Sequence, residues 1–368
     1  MNFEFNDDQR MLRDQARRFL LDKSPPEVVR ETLEGAQSHD QGLWRQFAEM
    51  GWLGAAIPEE YGGSGLGHLE LCVLAEELGR SLAPTPFASS IYLGAEALLT
   101  AGSEAQKQNY LPGIATGEAI WCLALSEGPR PATEKNLTAS VSNGKLSGEK
   151  LPVADGDIAD RAIVMAKDGG AAGLYIVDLT AAGVTRTTLE TVDPTRSQAK
   201  LVFQDAAVEK LGDEGWPLIR RIEDRAAVPV AFEQVGGAQM ALEMAKEYAL
   251  GRFAFGRPIA GYQAIKHRLA DMYIQIELAR SNCYYGAWAL SRDAAELPVA
   301  AATARVSATE AFNFAAKENI QIHGGMGFTW EFNCHLYYRR SRLLALSLGS
   351  QRAWKDRLIR ALERRNAA

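Results

Sequence analysis

The spacing of apolar residues divides the chain into three stretches. Across residues 1–118 apolar side chains recur every three or four positions, which is the period of an amphipathic helix. Residues 119–213 instead carry short apolar runs, rich in β-branched residues and separated by glycine or aspartate, as strands do. Helical spacing returns in residues 214–368. The pattern predicts a mainly α protein of three domains, with an antiparallel β-domain inserted between two helical ones.

Local signals sharpen this pattern. Asn6 followed by Gln9 predicts a capping box at the start of the first helix. In the helical stretch 226–250, Pro229 is expected to start or kink the helix. The glycine pair at 236 and 237 has two interpretations of equal weight: a neighbouring helix approaches closely there, or the helix is merely weak.

The most informative stretch is residues 252–280. A helix is predicted to end at Gly251, and a second one to begin at about Gln263 after a loop containing Gly256. Two core helices joined by a short loop would explain this spacing. The loop, however, combines arginine with glycine, a composition that lets a phosphate approach the backbone closely.

The sequence of this stretch, Arg-x-x-Phe-Gly-x-Pro-Ile, then Gln, then Leu-Ala-Asp-Met, resembles the C-terminal signature of the flavin-dependent acyl-CoA dehydrogenases. Farther upstream, Pro58-Glu-Glu-Tyr-Gly-Gly and Glu76-Glu-Leu-Gly stand where that family has its N-terminal markers. The resemblance covers nearly the whole chain. It implies an N-terminal helical domain (1–118), a middle β-barrel (119–213) and a C-terminal four-helix bundle (214–368).

The resemblance also implies FAD as the cofactor and assigns residues to it. In the family, this loop and a later Gln-x-x-Gly-Gly-x-Gly run contact the FAD of a neighbouring subunit. A glycine pair exposes backbone amides to which phosphate oxygens can bind. The residues of this chain that match are Arg252, Phe255, Gln263, Gln321, Gly324 and Gly325.

The family reaction is α,β-dehydrogenation of an acyl-CoA thioester, in which a carboxylate removes the α-proton. In the commonest branch that glutamate follows a Tyr-Arg-Asp run; here Tyr338-Arg-Arg keeps the frame, and Leu348 occupies the glutamate position. A second branch carries the base on an earlier helix, where Ala226 matches. Asp224 and Glu233 lie nearby, but Asp224 is about 200° away around a helix and Glu233 is nearly two turns along it. The catalytic base is therefore unknown.

The half of the site that would receive the flavin ring also departs from the family. Residues 151–154 read Leu-Pro-Val-Ala, where the family has an aromatic residue and a hydroxyl. Residues 126–132 match only loosely the family run whose amides and hydroxyls bind the ring. The donating half is intact, whereas the receiving half is eroded.

These departures favour an acyl-CoA dehydrogenase subunit that pairs with a paralogous subunit, most simply as an α2β2 assembly. Bacterial enzymes of this type act on bulky, steroid-derived CoA thioesters, so the resemblance implies a role in lipid or steroid catabolism. Electron-transfer flavoprotein is the expected acceptor. Two alternatives stay open: a homotetramer with a relocated base, and a catalytically silent protein that binds CoA thioesters.

Composition adds little to this picture. A net charge of -6 gives no reason to expect nucleic acid. The four cysteines form no CxxC pair, the histidines have no metal-ligand spacing, and no apolar run approaches the roughly 18 residues that span a bilayer. The acidic N-terminus is unlike a signal peptide. We expect a soluble, cytoplasmic protein without metal.

Overall fold

The computed structural model describes residues 6–35, 37–130, 132–213 and 215–367. Its chain forms two compact units. One comprises Met1–Val29, His68–Ala83 and Ala227–Ala368; the other comprises Arg30–Gly67 and Pro84–Ala226. We call them the bundle unit and the barrel unit.

Helices occupy the chain up to residue 115. Asn6 caps the first helix through its side chain, which accepts from the Gln9 amide, while the Gln9 side chain accepts from the Asn6 amide. The predicted capping box is confirmed. The helices are α1 (Asp7–Lys23), α2 (Pro26–Glu34), α3 (Gln41–Glu49), α4 (His68–Ser81), α5 (Glu96–Ala101) and α6 (Glu104–Ala115), with a π-helical segment over Ala88–Ala95.

Strands follow, and the short apolar runs at residues 162–166, 174–178 and 200–204 fall in β4, β5 and β7. The strands are β1 (Trp121–Ala124), β2 (Ser140–Ser142), β3 (Lys145–Ala154), β4 (Arg161–Asp168), β5 (Ala171–Asp178), β6 (Val184–Leu189) and β7 (Gln198–Leu211). Five of them close on themselves in the order β4-β2-β3-β7-β5 and back to β4. Alternate side chains, such as Val164, Tyr175 and Phe203, point into the apolar interior. The result is a barrel.

We predicted an antiparallel β-domain, but two of its strand pairings are parallel. Strands β1 and β2 both run parallel to β4. A parallel arrangement needs a connection long enough to carry the chain back to its starting end, and residues 125–139 provide it between β1 and β2. Sequence spacing does not reveal strand direction.

The remaining helices are α7 (Trp216–Gly251), α8 (Gln263–Ser291), α9 (Leu297–His323), α10 (Cys334–Leu346) and α11 (Gln351–Ala367). Helix α8 begins at Gln263, as predicted. Helix α7 begins thirteen residues before Pro229 and continues through it, so the prediction that this proline starts the helix is wrong. Within the described residues, none of the helices combines the length and apolar character that crossing a lipid bilayer demands.

The glycine pair in α7 marks a close helix crossing within the bundle unit. A Cβ on Gly236 would lie 1.9 Å from the carbonyl oxygen of Glu76 in α4. In return, a Cβ on Gly79 of α4 would lie 1.9 Å from the carbonyl oxygen of Glu233 in α7. On the next face, a Cβ on Gly237 would lie 2.5 Å from the Phe312 ring of α9. Of the two interpretations, close approach is therefore correct.

We predict that Gly236→Ala destabilises the protein by about 2–4 kcal/mol, because a methyl group cannot fit against rigid backbone without parting the two helices. The control is Gly251→Ala in the same helix, where a Cβ meets nothing within 4 Å. That change should leave stability the same or raise it by up to about 1 kcal/mol, since alanine favours helix. Urea unfolding of both variants measures the difference. Equal stabilities would show that α4 and α7 do not cross here.

Candidate functional site

A tight hairpin follows α7 and carries the first predicted cofactor residues. Strands β8 (Phe253–Ala254) and β9 (Arg257–Pro258) pair antiparallel around Phe255 and Gly256. Both turn residues have positive φ, 51° and 80°, as a type I′ turn requires. The amide of Arg252 donates to the Tyr248 carbonyl at 2.8 Å, which anchors the hairpin to the end of α7. Phe255 is 96% exposed at its tip.

The second predicted segment is the glycine pair at the end of α9. Gly324 has φ 60°, and a Cβ on Gly324 or Gly325 would meet nothing within 4 Å. Both glycines are exposed. Their backbone is therefore open to a bulky group, which is what a phosphate needs in order to reach main-chain amides.

An aromatic cluster brings these two segments together. Tyr248, whose carbonyl anchors the hairpin, stacks on His323 with ring centroids 4.1 Å apart. His323 directly precedes the glycine pair, and its Nδ1 lies 2.8 Å from the Asn319 carbonyl oxygen. Phe332 packs edge-on against both rings. Burial lowers the pKa of His323, which favours the neutral form of the stacked ring. Sequence reasoning missed this cluster, because nothing in the spacing links Tyr248 to His323.

The two glutamines lie toward the same end of the helical hairpin α8–α9. Arg268 of α8 and Glu318 of α9 form an ion pair at 3.4 Å. Gln263 precedes Arg268 in α8, and Gln321 follows Glu318 in the antiparallel α9, so both glutamines lie beyond this pair in the same direction. Both are exposed.

This end of the bundle unit carries side-chain hydrogen-bond donors that have no acceptor among the described residues. Within the described part of the chain, the side chains of Arg252, Gln263 and Gln321 have no hydrogen-bond partner or ion pair. By contrast, the guanidinium of Arg257, in the same hairpin, lies 4.0 Å from the centre of the Tyr262 ring. A guanidinium, two amides and open main-chain N–H groups suit an extended anion such as the pyrophosphate of FAD.

The same loops and helix α8 also carry large apolar side chains that are exposed. In the two loops they are Phe253, Phe255, Phe328 and Trp330; on α8 they are Tyr273, Ile274 and Leu278. Large apolar side chains exposed in this number on a folded unit are typical of protein–protein contact.

The two segments that match the receiving half lie side by side in the barrel unit. The Leu151 amide donates to the Ser126 carbonyl at 2.9 Å, and the Gly128 amide donates to the Leu151 carbonyl at 2.8 Å. Pro131, within the 126–132 run, lies outside the described residues. Leucine, proline, valine and alanine at 151–154 offer no side-chain hydrogen bond, and Pro152 has no amide proton.

Beneath this surface, an ion pair ties the segments together. The Nζ of Lys150, which is fully buried, donates to a Glu127 carboxylate oxygen at 2.7 Å and to the Leu125 carbonyl at 3.3 Å. Burial lowers the pKa of Lys150. Burial alone would raise the pKa of Glu127, but hydrogen bonds from Lys150, Thr138 and Ala139 outweigh it and hold that pKa below its usual value. The scaffold beneath these segments is intact, although residues 151–154 offer no side-chain donor.

The position matched to the family glutamate has a well-fixed backbone. Leu348 follows α10 in the left-handed region, with φ 59°, and Gly349 has φ 99°. The Trp354 Nε1 donates to the Leu348 carbonyl at 3.0 Å. The Arg305 guanidinium donates to the carbonyls of Ser347, at 2.6 Å, and Leu344. The turn keeps its shape, but its side chain cannot accept a proton.

Arg305 belongs to a fully buried charged cluster. It also donates to Thr309 at 2.8 Å and to Gln234, and burial lowers its pKa to about 10. In the same core Glu233, with no exposed surface, pairs with Arg340 at 3.4 Å. The one sequence signal for this cluster is Arg340, which stands where the family run Tyr-Arg-Asp has its aspartate.

This cluster bears on the two carboxylates considered as alternative bases. Glu233 is enclosed and ion-paired with Arg340, so it cannot reach a thioester. Asp224 is 7% exposed, and its neighbour Arg225 is ion-paired with Glu96. Ala226, at the second-branch position, is buried. None of these positions presents an accessible carboxylate.

Comparison with known proteins agrees with this architecture. The family models for the N-terminal and C-terminal domains of acyl-CoA dehydrogenase match residues 6–118 and 213–362. The acyl-CoA dehydrogenase IpdE2 of Mycobacterium tuberculosis is 34% identical over 362 residues, covering 96% of each chain.

Two solved structures share the fold over nearly all of both chains. A variant of the Tcur3481-Tcur3483 steroid ACAD superposes with a TM-score of 0.89 at 30% identity, covering 98% of this chain and 99% of the other. The ChsE4-ChsE5 complex from Mycobacterium tuberculosis superposes with a TM-score of 0.89 at 29% identity, covering 99% of each. The chain belongs to the acyl-CoA dehydrogenases, FAD-dependent oxidoreductases that act on the CH–CH bond of acyl-CoA thioesters.

Proposed function

We propose that this chain is one subunit of a hetero-oligomeric acyl-CoA dehydrogenase. Its donating half contributes cofactor-binding residues to a site in a paralogous partner subunit. Its Arg252 hairpin and Gly324–Gly325 loop hold the adenosine and pyrophosphate of an FAD whose ring lies in the partner subunit. The partner supplies the ring contacts and the carboxylate base. The simplest assembly is α2β2.

One observation carries this proposal: the donors of the donating half are complete and unpaired, whereas residues 151–154 of the receiving half offer no side-chain donor. Arg252, Gln263 and Gln321 extend from one end of the bundle unit without partners among the described residues. Residues 151–154 of the barrel unit have no polar side chain, and Leu348 replaces the base. A homotetramer would repeat the incomplete receiving half in every site.

The relatives support the same assembly and a bulky substrate. ChsE4-ChsE5 is a complex of two different chains, and Tcur3481-Tcur3483 is described as a steroid ACAD. We infer a CoA thioester of a steroid-derived or similarly bulky acid, handled in lipid or steroid catabolism. Electron-transfer flavoprotein is the proposed acceptor. Four buried cysteines without a disulfide accord with a cytoplasmic location.

Within such an assembly, the residues of this chain bind and orient. When bound, FAD supplies the oxidising capacity for the α,β-dehydrogenation. Arg252 neutralises phosphate charge, Gln263 and Gln321 donate hydrogen bonds, and the open glycine amides let the cofactor approach the backbone. The exposed aromatic residues around the loops are then buried against the partner. Leu348 has no basic group, so it cannot accept the α-proton of the substrate.

Co-expression tests the proposal. The chain is produced alone and together with a paralogous acyl-CoA dehydrogenase encoded beside it, and native mass spectrometry gives the composition. We expect an equimolar complex of four chains when both are present. A stable homotetramer that binds FAD and dehydrogenates acyl-CoA would instead support the alternative of a relocated base. Absence of flavin with and without the partner would support a silent CoA-thioester-binding protein.

The missing base gives a further prediction. Leu348→Glu should not turn the chain on its own into a dehydrogenase, because the surface formed by residues 151–154 still lacks contacts for the flavin ring. End-point assays with a panel of acyl-CoA thioesters should give the same turnover for this variant as for the unmodified chain. The matched variant Leu348→Gln controls for polarity at the turn. Vigorous activity of the glutamate variant alone would mean that the receiving half is functional.

A further inference from the structure

A small cavity opens in the bundle unit, distinct from the cofactor loops and from the turn at Leu348. Its volume is about 100 Å³. The walls come from the end of α1 and the start of α2, from the end of α4, and from one face each of α7 and α10. Aliphatic side chains dominate the lining: Leu20, Leu21, Val29, Leu82, Met240 and Leu336.

Two hydrogen-bond donors in this apolar cavity have no partner. Ser24, at the end of α1, is 3% exposed, and its Oγ makes no hydrogen bond to any described residue. The Nε of Arg80 is likewise buried without a partner, although the two terminal nitrogens of that guanidinium bind Glu243. A buried donor left unsatisfied is costly in folded proteins. Two of them lining one cavity indicate a missing acceptor.

The cavity wall is held in place by α10. The Tyr337 hydroxyl donates to the Arg80 carbonyl at 2.8 Å, and Arg340 donates to the Leu82 carbonyl at 3.4 Å. Leu82 itself lies in the left-handed region, with φ 54°. A leucine in this conformation persists only when its surroundings enforce it. The cavity is thus a built feature of the bundle unit.

Charge indicates the kind of acceptor. Two arginines and one glutamate line the cavity: Arg17, Arg80 and Glu77. The Arg17 guanidinium binds both Glu77 oxygens, at 2.9 and 2.6 Å, so that carboxylate is already neutralised. Arg80 is likewise paired, with Glu243, but its Nε–H remains an unused donor on a cationic group. A negatively charged oxygen satisfies that N–H better than a neutral one.

We propose that this cavity binds the carboxylate of a short aliphatic acid. One carboxylate oxygen accepts from Ser24 Oγ and from Arg80 Nε, and the alkyl chain lies among the leucine and valine side chains. The volume accommodates only a few carbon atoms, so a longer acid would extend through the opening beside Leu21, which is exposed. The site lies within one unit and does not depend on the proposed subunit pairing.

Isothermal titration of the purified full-length chain with sodium hexanoate tests this inference. We expect saturable binding with a Kd of about 0.1–1 mM, a range suited to so small a ligand. Hexylammonium, with the opposite charge, should not bind. If 1-hexanol binds as tightly as hexanoate, the carboxylate assignment is wrong. If hexanoate fails to saturate, the site is not a binding site.

Two serines that line the same cavity provide matched variants. Ser24→Ala should weaken hexanoate binding about tenfold, because the hydroxyl donates to the ligand. The Ser81 hydroxyl already donates to the Leu78 carbonyl at 3.2 Å, so Ser81→Ala should change the Kd by less than about twofold. Equal effects, or none from Ser24→Ala, would overturn the site.

A second readout does not depend on the ligand. Without hexanoate, Ser24→Ala should unfold at the same or a higher temperature than the unmodified chain, because it removes an unsatisfied buried hydroxyl. With saturating hexanoate the order should reverse, since only the unmodified chain gains the full stabilisation of bound ligand. A lower melting temperature for the variant without ligand would show that Ser24 has a protein partner, which contradicts the proposal.

Discussion

Replacing Arg252 by alanine lowers the FAD content of the assembled enzyme by about tenfold or more at limiting FAD, and leaves the helices folded. The guanidinium is exposed and has no partner among the described residues. Its hairpin is anchored to Tyr248, which stacks on His323 directly before the open glycine pair. An arginine–phosphate hydrogen bond contributes about 1.5–3 kcal/mol, and each 1.4 kcal/mol is a factor of ten in occupancy at limiting cofactor. Flavin absorbance per chain measures the loss.

The control is Arg257→Ala. This variant removes the same charge from the same hairpin, but the Arg257 guanidinium lies over the Tyr262 ring and is already engaged. We expect its flavin content to fall by less than about threefold, the effect of a general loss of positive charge. If Arg252→Ala retains full flavin, the assignment of the hairpin to the cofactor is wrong.

Glu233→Gln should lower the free energy of unfolding by about 3–5 kcal/mol, the usual cost of stranding a buried charge. Glu233 and Arg340 are both essentially inaccessible to solvent, and Glu233 also attracts the buried Arg305. Without that carboxylate, two buried guanidinium groups lose the negative charge that Glu233 supplies. Urea unfolding of the variant measures the effect.

The double variant Glu233→Gln with Arg340→Met separates pairing from packing. Removing both members relieves the stranded charge, so the double variant should be more stable than the sum of the single losses implies, by about 1–3 kcal/mol. Strictly additive losses would mean that the two residues do not interact. Because Glu233 serves this pair, we expect no change in any dehydrogenase activity that survives in the folded fraction.

Much of the fold could be predicted because its signals are local. The Asn6–Gln9 capping box and the start of α8 at Gln263 each depend on a few adjacent residues. Contacts between residues that are far apart in the sequence were harder to predict. The glycines at 236 and 237 had two equally good interpretations, since the sequence does not show that α4 crosses α7 there. Pro229 was expected to start or kink the helix, yet α7 begins at Trp216 and continues through the proline.

The candidate site shows the same division. The two cofactor loops could each be recognised from their own residues, and both remain predictions as cofactor contacts. What sets them side by side is the stack of Tyr248 on His323, which no spacing in the sequence encodes. The charge of Arg340 was visible as a departure from the family run, but its buried partner Glu233 was not, because the two lie 107 positions apart.

Flavin stoichiometry tests the central claim most directly. The complex of this chain with its paralogous partner is purified, its subunits are quantified by amino-acid analysis, and FAD is released and measured by absorbance. If this chain lends contacts to flavin seated only in its partner, the complex holds about one FAD for every two chains, and this chain alone holds almost none. One FAD per chain, in the complex or in a homotetramer of this chain alone, would contradict the account.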